Sequence, residues 1–214
     1  MNLILDGLPE EVEIAGTAVK IETSFRTGII FEEMLSDPEL SDEDKLLTML
    51  ELYYPGVVFD ETTIREAIEK IFWFYRCGSE PRENKTGGDE GGDGKQVFSY
   101  EYDADYIYAG FMSAYRIDLA RDTLHWWQFR ALFRSLPEDT QIMKIIGYRS
   151  MKIPSKLSKE QKDHYKRMKR IYALPDRYEL TKAESDLTEI LMKGGNPSAL
   201  LNDEGDSKQW QTEP

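Results

Sequence analysis

The sequence has very little cysteine and histidine: its 214 residues include one cysteine, Cys77, and two histidines, His125 and His164. A single thiol excludes an internal disulfide and is typical of a protein that works in a reducing compartment. The two histidines lie far apart in the sequence, and neither has the spacing of a zinc-binding motif. We therefore predict that the protein uses no metal ion and no cofactor.

Nucleotide-binding and hydrolase motifs are missing as well. The chain has no Gly-rich phosphate loop before a helix and no Gly-x-Ser-x-Gly motif. The 40 Asp and Glu residues would be enough for a metal-dependent nuclease, but no spacing singles out a pair. We interpret His125 as a helix-surface or hydrogen-bonded buried residue rather than as a general base. The prediction is that the protein is not an enzyme.

Long apolar runs are also absent. No stretch approaches the roughly 20 apolar residues that a membrane-spanning helix requires. Residues 1–6 lack the basic start and the apolar run of a signal peptide. We therefore expect a cytoplasmic protein that has no contact with a membrane.

Negative charge dominates the chain, but it is unevenly spread. The formal net charge is −13, and residues 1–80 hold 18 acidic and 6 basic side chains. Residues 144–170, in contrast, carry 10 Lys and Arg residues against Glu160 and Asp163. An acidic half and a basic segment can attract each other within one chain or between copies. The alternative is that both are solvated helix faces.

Hydrophobic periodicity predicts a mainly α protein with a small N-terminal β-hairpin. Val12–Ile21 alternates apolar and polar residues around Gly16, which indicates the hairpin, and residues 3–5 could add a third strand. Apolar residues at helical spacing, together with capping residues, predict helices over 25–35, from Ser41 to Pro55, after Asp60, after Asp103 or Asp105, after Pro137, and from Ser158 to Ala173.

Composition divides the chain into four predicted segments. Residues 1–77 hold the hairpin and the acidic helices, and residues 97–178 hold the later helices. Between them, residues 78–96 are rich in glycine and charge, which is typical of a flexible disordered linker. Residues 179–214 are predicted to form a weakly structured, disordered tail with at most one short helix, over 182–193.

One helix is predicted to run through residues 117–136, and it has two apolar faces. One face holds Leu119, Trp126, Phe129 and Phe133, and the roughly opposite face holds Ile117, Ala120, Leu124, Trp127, Ala131 and Leu132. A surface helix needs only one apolar stripe, so both faces should be covered. The first face either belongs to the core, which we favour slightly, or binds a partner. Leu119, Trp126, Phe129 and Phe133 are therefore candidate partner-binding residues.

The basic helix after Ser158 supplies a second candidate surface, formed by Lys166, Arg167, Lys169 and Arg170. Lysine and arginine with interleaved tyrosine would suit the phosphates and bases of a nucleic acid. The acidic remainder of the chain would repel a polyanion at long range. Docking on an acidic protein surface fits the charge distribution better, and nucleic-acid binding is the alternative.

Several short motifs resemble the bacteriophage "gene product fifteen" family, which occurs in tailed phages and prophages of Gram-positive bacteria. They are Tyr-x-Ile-Asp-Leu (115–119), Leu-His-Trp-Trp-x-Phe-Arg-Ala-Leu (124–132), Leu-Pro-Glu-Asp-Thr (136–140), Gly-Tyr-Arg-Ser-Met-Lys-Ile-Pro (147–154) and Lys-Arg-Ile-Tyr-Ala-Leu-Pro (169–175). The N-terminal hairpin followed by Thr-Ser-Phe-Arg-Thr (23–27) fits the same family.

This resemblance implies a role in the tail module of a phage. It suggests a tail assembly chaperone in the host bacterial cytoplasm, which binds the tape measure protein or other tail proteins and could form a homo-oligomer. The alternative that it leaves open is a minor structural protein of the virion tail. It brings no catalytic residue with it.

Overall fold

The computed structural model describes residues 3–79 and 96–175 of the chain. This part is mainly helical with one antiparallel two-stranded hairpin, which confirms the predicted fold class. In chain order the elements are α1 (Leu3–Asp6), β1 (Glu11–Ile14), β2 (Thr17–Lys20), α2 (Phe25–Leu35), α3 (Asp42–Tyr53), α4 (Ile64–Tyr75), α5 (Ala104–Tyr115), α6 (Trp126–Arg134), α7 (Gln141–Ser150) and α8 (Lys159–Ile171).

The hairpin turns at Ala15 and Gly16, whose φ angles are 49° and 75°. Two consecutive positive φ angles fit the twist of a tight hairpin. Gly16 adopts its angle without strain, whereas Ala15 takes a conformation that is uncommon for a residue with a Cβ atom. Val12 and Ile14 point into the core on the side of α4. The third strand predicted over residues 3–5 is wrong, because this segment forms α1 and the described sheet has two strands.

Helices α2 and α3 begin where the sequence predicts, since serine side chains cap both. Ser24 accepts a hydrogen bond from the backbone N–H of Arg26, and Ser41 accepts one from Asp44. Buried Lys45 lies on α3 and donates to the carbonyl of Leu35, the last residue of α2. A cation at this place stabilises the negative end of the α2 dipole.

The long helix predicted through residues 117–136 is wrong in its first half, because α6 begins only at Trp126. In the preceding segment, the Asp122 carboxylate accepts from the backbone N–H of Asp118, and the Asp118 carboxylate accepts from that of Ala120. These side chains capture N–H groups that a helix would use. His125 then caps α6 through its side chain.

Helix α8 packs at one end of a row of helices. The row runs α3, α2, α6, α5, α7, α8, each packed against the next. Helix α7 begins at Gln141, later than Pro137 suggests, whereas α8 begins with the predicted capping box of Ser158 and Gln161. No residue of α8 is buried. The hydrophobic core therefore lies between the other helices, and α8 is a peripheral helix that packs on α7.

One hydrophobic core takes side chains from both sides of the predicted linker, from Val12 through Ile142. Residues 80–95 of that linker lie outside the described part, as do the predicted tail 179–214 and its helix over 182–193. Within the described ranges, no helix is long and apolar enough to cross a membrane.

Candidate functional site

Two adjacent tryptophans close the C-terminal end of α4. The indole N–H of Trp126 donates to the carbonyl of Tyr75 at 2.9 Å, and that of Trp127 donates to the carbonyl of Phe74 at 2.7 Å. Carbonyls in the last turn of a helix have no partner in the next turn. Trp126 supplies a donor to the Tyr75 carbonyl, and Trp127 adds a second donor to the Phe74 carbonyl, which also accepts from the backbone N–H of Cys77. Both bonds fix α6 against α4.

The predicted partner face of α6 lies in the core of the chain itself. Trp126, Phe129 and Phe133 are at most 6% exposed. Phe129 stacks between Phe25 of α2 and Phe111 of α5, with ring centroids 5.0 and 5.1 Å away. These three side chains have no surface left for another molecule. Leu119, half-buried in the preceding segment, also packs on the core.

A close approach of α2 to α6 depends on Gly28. A Cβ atom added at this glycine would lie 2.3 Å from Cε3 of Trp126, far inside van der Waals contact. The indole therefore lies directly on the backbone of α2. The other side of the junction also involves a glycine, since Gly78 after α4 lies against the ring of Trp127.

His125 connects three parts of the chain at the start of α6. Its Nδ1 accepts from the backbone N–H of Trp127 at 3.0 Å, so Nε2 carries the proton and donates to the carbonyl of Pro9 at 2.9 Å. On either side of it, the N–H of Trp126 donates to Thr23, and the N–H of Phe25 donates to Leu124. The structure thus shows His125 as a half-buried, hydrogen-bonded residue.

Acid is expected to destabilise the fold through His125. Burial lowers the pKa of His125, and this outweighs the smaller opposing effects of the Pro9 carbonyl and Glu10. In the unfolded chain the pKa is about 6.5, so the unfolded state takes up the proton first as the pH falls. The contribution to stability is complete above about pH 6.5 and is lost as the pH falls toward the lower folded pKa.

The measurement is thermal unfolding of the wild type and His125→Asn between about pH 5 and pH 7.5. Asparagine keeps a capping side chain but does not titrate in this range. The difference in melting temperature between the two proteins should shrink or reverse toward acid pH. A difference that stays constant over the whole range would contradict the assignment.

A buried ion pair that the sequence patterns did not indicate holds α5, α7 and α8 together. Both oxygens of the Asp103 carboxylate accept from the guanidinium of Arg149, and the Nη2–Oδ1 distance is 2.9 Å. The carboxylate also accepts from the backbone N–H of Ser99 at 2.9 Å. The guanidinium reaches on to the carbonyls of Val97 and Tyr172. The two side chains, the Ser99 N–H group and the two carbonyls together form one small polar cluster.

The inner side of α8 rests on α7 through tyrosines and one lysine. The ring of Tyr172 stacks on Tyr148 with centroids 6.0 Å apart, and Tyr165 contacts the same ring. The ammonium of Lys169 donates to the carbonyl of Met151 at 2.7 Å. Of the four basic residues that the sequence singled out, Lys169 is thus an anchor to the rest of the chain.

The other three basic residues, Lys166, Arg167 and Arg170, are exposed. Within the described residues none of them forms an ion pair. The predicted basic surface therefore exists on the outer side of α8, but without Lys169.

Large apolar side chains are exposed at the N-terminal end of the described chain. Ile4 is 91% and Leu5 is 80% exposed, and α1, which carries them, has no buried residue. Leu3 and Leu8 beside them are about 40% exposed. An exposed group of apolar residues outside the core is typical of a surface that binds another protein.

Catalytic or ligand-binding geometry is not apparent in the described part of the chain. Over residues 3–79 and 96–175 no group of histidine, cysteine and carboxylate side chains could hold a metal ion. One shallow groove of about 180 Å³ lies between β1 and α4, lined by Glu11, Val12, Glu13, Lys70 and Trp73. Sites for small molecules usually measure about 300–1,000 Å³.

Comparison with known families places most of the chain within one family. A family model described as "Bacteriophage Gp15 protein" matches residues 4–174. This range includes the tryptophan junction, the Asp103–Arg149 pair and all of α8. No curated protein and no solved structure matches the chain.

Proposed function

Since this chain belongs to the bacteriophage Gp15 protein family, we propose that it is a tail assembly chaperone that binds the tape measure protein. Membership of the family supports a structural or morphogenetic role in a phage. The finer role rests on one observation, the exposed apolar segment that contains Leu3, Ile4, Leu5 and Leu8. The proposed place of action is the cytoplasm of the host bacterium.

An apolar helical client needs a chaperone with apolar surface of its own. Burying a large aliphatic side chain contributes about 1.5–3 kcal/mol relative to leaving it in water. Ile4 and Leu5 contribute little of this to the fold, because they are almost fully exposed. Covering them with a client would therefore stabilise the complex without unpacking the core.

Co-expression with the tape measure protein of the same phage tests the proposal. The wild-type chain should raise the soluble fraction of the tape measure protein and co-purify with it. Ile4→Asp/Leu5→Asp should lose both effects and keep the melting temperature, since α1 contributes nothing buried. Val58→Asp is the matched control, because Val58 is 95% exposed in the loop after α3. If the wild type neither solubilises nor binds the tape measure protein, the proposal fails.

A minor structural protein of the virion tail is the second candidate. It is favoured by the exposed outer side of α8, which offers a surface to a permanent neighbour. Mass spectrometry of purified virions distinguishes the two roles. A chaperone should be absent from the particle, whereas a structural protein should be present in a fixed number of copies.

A further inference from the structure

We infer that the outer side of α8 binds the acidic segment 37–44 of a second copy of this chain, so that copies join head to tail. The outer basic face of α8 is defined by Lys159, Lys166, Arg167 and Arg170, which are exposed and lie on one side of the helix. Exposed Asp163 lies among them and exposed Glu160 lies at the edge of the face, so four cations stand against two carboxylates. This inference concerns how the chain associates with itself, and it does not depend on the identity of the client.

Helix α8 buries little surface against the rest of its own chain. An isolated helix of its length, 13 residues, is marginal in water and owes its stability to packing. The helix contributes half-buried Lys162, Tyr165, Met168 and Lys169 to its contacts, and none of its residues is buried. The outer basic face meets no carboxylate in an ion pair within the described residues. Its surface and its charge therefore both remain open to a partner.

The segment before and at the start of α3 has the opposite charge. Asp37, Glu39, Asp42, Glu43 and Asp44 place five carboxylates within eight residues. The next residue, Lys45, does not neutralise them at the surface, since it is buried and its ammonium donates to the carbonyl of Leu35. Glu39, Asp42 and Glu43 are exposed. Residues 37–44 thus form an acidic surface, which we call the acidic segment.

The two charged surfaces lie at the two ends of the row of packed helices. Helix α3 packs on α2 and α4, while α8 packs on α7. Since α3 and α8 are not neighbours in this row, the basic face of a copy is not covered by its own acidic segment, and it can meet that of another copy. Contact between two different surfaces is heterologous, and repeated contacts of this kind form rings or open chains.

A second copy fits this basic face better than a nucleic acid does. With a net charge of −13, the chain repels a polyanion at long range. A second copy brings the repulsion of its own net charge, but it presents the acidic segment directly to α8. Close pairs of opposite charge gain attraction and also select the partner.

Sedimentation velocity of the full chain, measured over a range of protein concentrations, tests the inference. The measurements are made at two salt concentrations, about 0.01 M and about 1 M, where the electrostatic screening length is roughly 30 Å and 3 Å, respectively. Three charge-reversal variants and one control variant are compared with the wild type. The first carries Lys166→Glu, Arg167→Glu and Arg170→Glu, the second carries Glu39→Lys and Glu43→Lys, and the third combines both sets.

The wild type should form dimers or larger species at low salt and dissociate at high salt. Each single set should weaken association about 100-fold or more, and the combined set should restore it, because the charges are exchanged. Lys144→Glu/Lys156→Glu, two exposed cations outside α8, is the matched control and should associate like the wild type. Circular dichroism confirms that each variant is folded.

Three results would overturn the inference. One is a wild type that stays monomeric at low salt. Another is association that the α8 set leaves unchanged, which would place the contact elsewhere. The third is binding of double-stranded DNA at low salt that the α8 set abolishes, while self-association persists; the basic face would then bind a polyanion.

Discussion

Arg149→Met is expected to lower the free energy of unfolding by about 3–5 kcal/mol, which is the usual cost of breaking a buried ion pair on one side. The substitution keeps the aliphatic length of the side chain but removes the guanidinium. Asp103, which is 1% exposed, is then left as a buried charge without its cation. The carbonyls of Val97 and Tyr172 lose a donor at the same time.

The position of the pair increases the expected effect. Asp103 precedes the first residue of α5, Arg149 lies on α7, and Tyr172 follows α8. Loss of the guanidinium should therefore loosen α8 as well as destabilise the whole fold. Urea unfolding followed by far-UV circular dichroism measures the first effect, and limited proteolysis after residues of α8 measures the second.

Two further variants separate the charge from the packing. Lys144→Met, an exposed change on the same helix, should alter stability by less than about 0.5 kcal/mol. Asp103→Leu/Arg149→Met should be more stable than Arg149→Met alone, because no charge is left buried. If Arg149→Met costs no more than Lys144→Met, the pair does not hold the helices together.

Trp126→Ala and Trp127→Ala are each expected to cost about 3–5 kcal/mol, the range for large aromatic side chains in a core. Each substitution leaves a cavity and removes a side-chain donor to one carbonyl at the end of α4. Similar losses for both would agree with the burial of both faces of α6. A loss below about 1 kcal/mol for Trp126→Ala would contradict it.

Gly28→Ala tests the same junction with a smaller change. In an open helix this substitution gains about 1 kcal/mol through helix propensity. At Gly28 the new methyl group would lie 2.3 Å from the Trp126 ring, so the sign should reverse. Gly147→Ala in α7 is the control, since nothing lies within 4 Å of its added Cβ, and it should stabilise the protein. Urea unfolding of both variants gives the comparison.

Local patterns predicted the elements whose capping signals are local. Ser24, Ser41 and Ser158 each begin a helix as expected, because the capping group and the N–H groups that it binds are close in sequence. The helix predicted from residue 117 failed for a similar local reason. Asp118 and Asp122 bind nearby N–H groups, and this competes with a propensity that apolar spacing alone does not weigh.

The tertiary contacts could not be predicted in the same way. Spacing shows that α6 has apolar residues on two sides. Only the packing of Phe25 and Phe111 on Phe129, and of Trp73 and Phe74 on Trp127, shows that the chain itself covers both sides. The sequence pattern predicts that Asp103 or Asp105 opens α5, but it does not show that the Asp103 carboxylate binds Arg149, 46 residues away. Arg149 and Tyr172 both lie in the motifs that resemble the family, so the sequence marks them as candidate residues. The motifs do not show that these two residues contact each other.

The junction of α4 with α6 also has a consequence for synthesis on the ribosome. Helices α2 and α4 emerge first, and Phe31 of α2 packs on Phe72 and Tyr75 of α4. The rings of Phe25, Phe74 and Tyr75 lack part of their cover until Phe129, Trp127 and Trp126 follow. Until then the nascent chain exposes a large apolar surface, which favours aggregation or capture by host chaperones. The N-terminal half therefore folds fully only when the translated chain has passed α6. A stop codon before Trp126 should yield an insoluble fragment rather than a smaller folded protein.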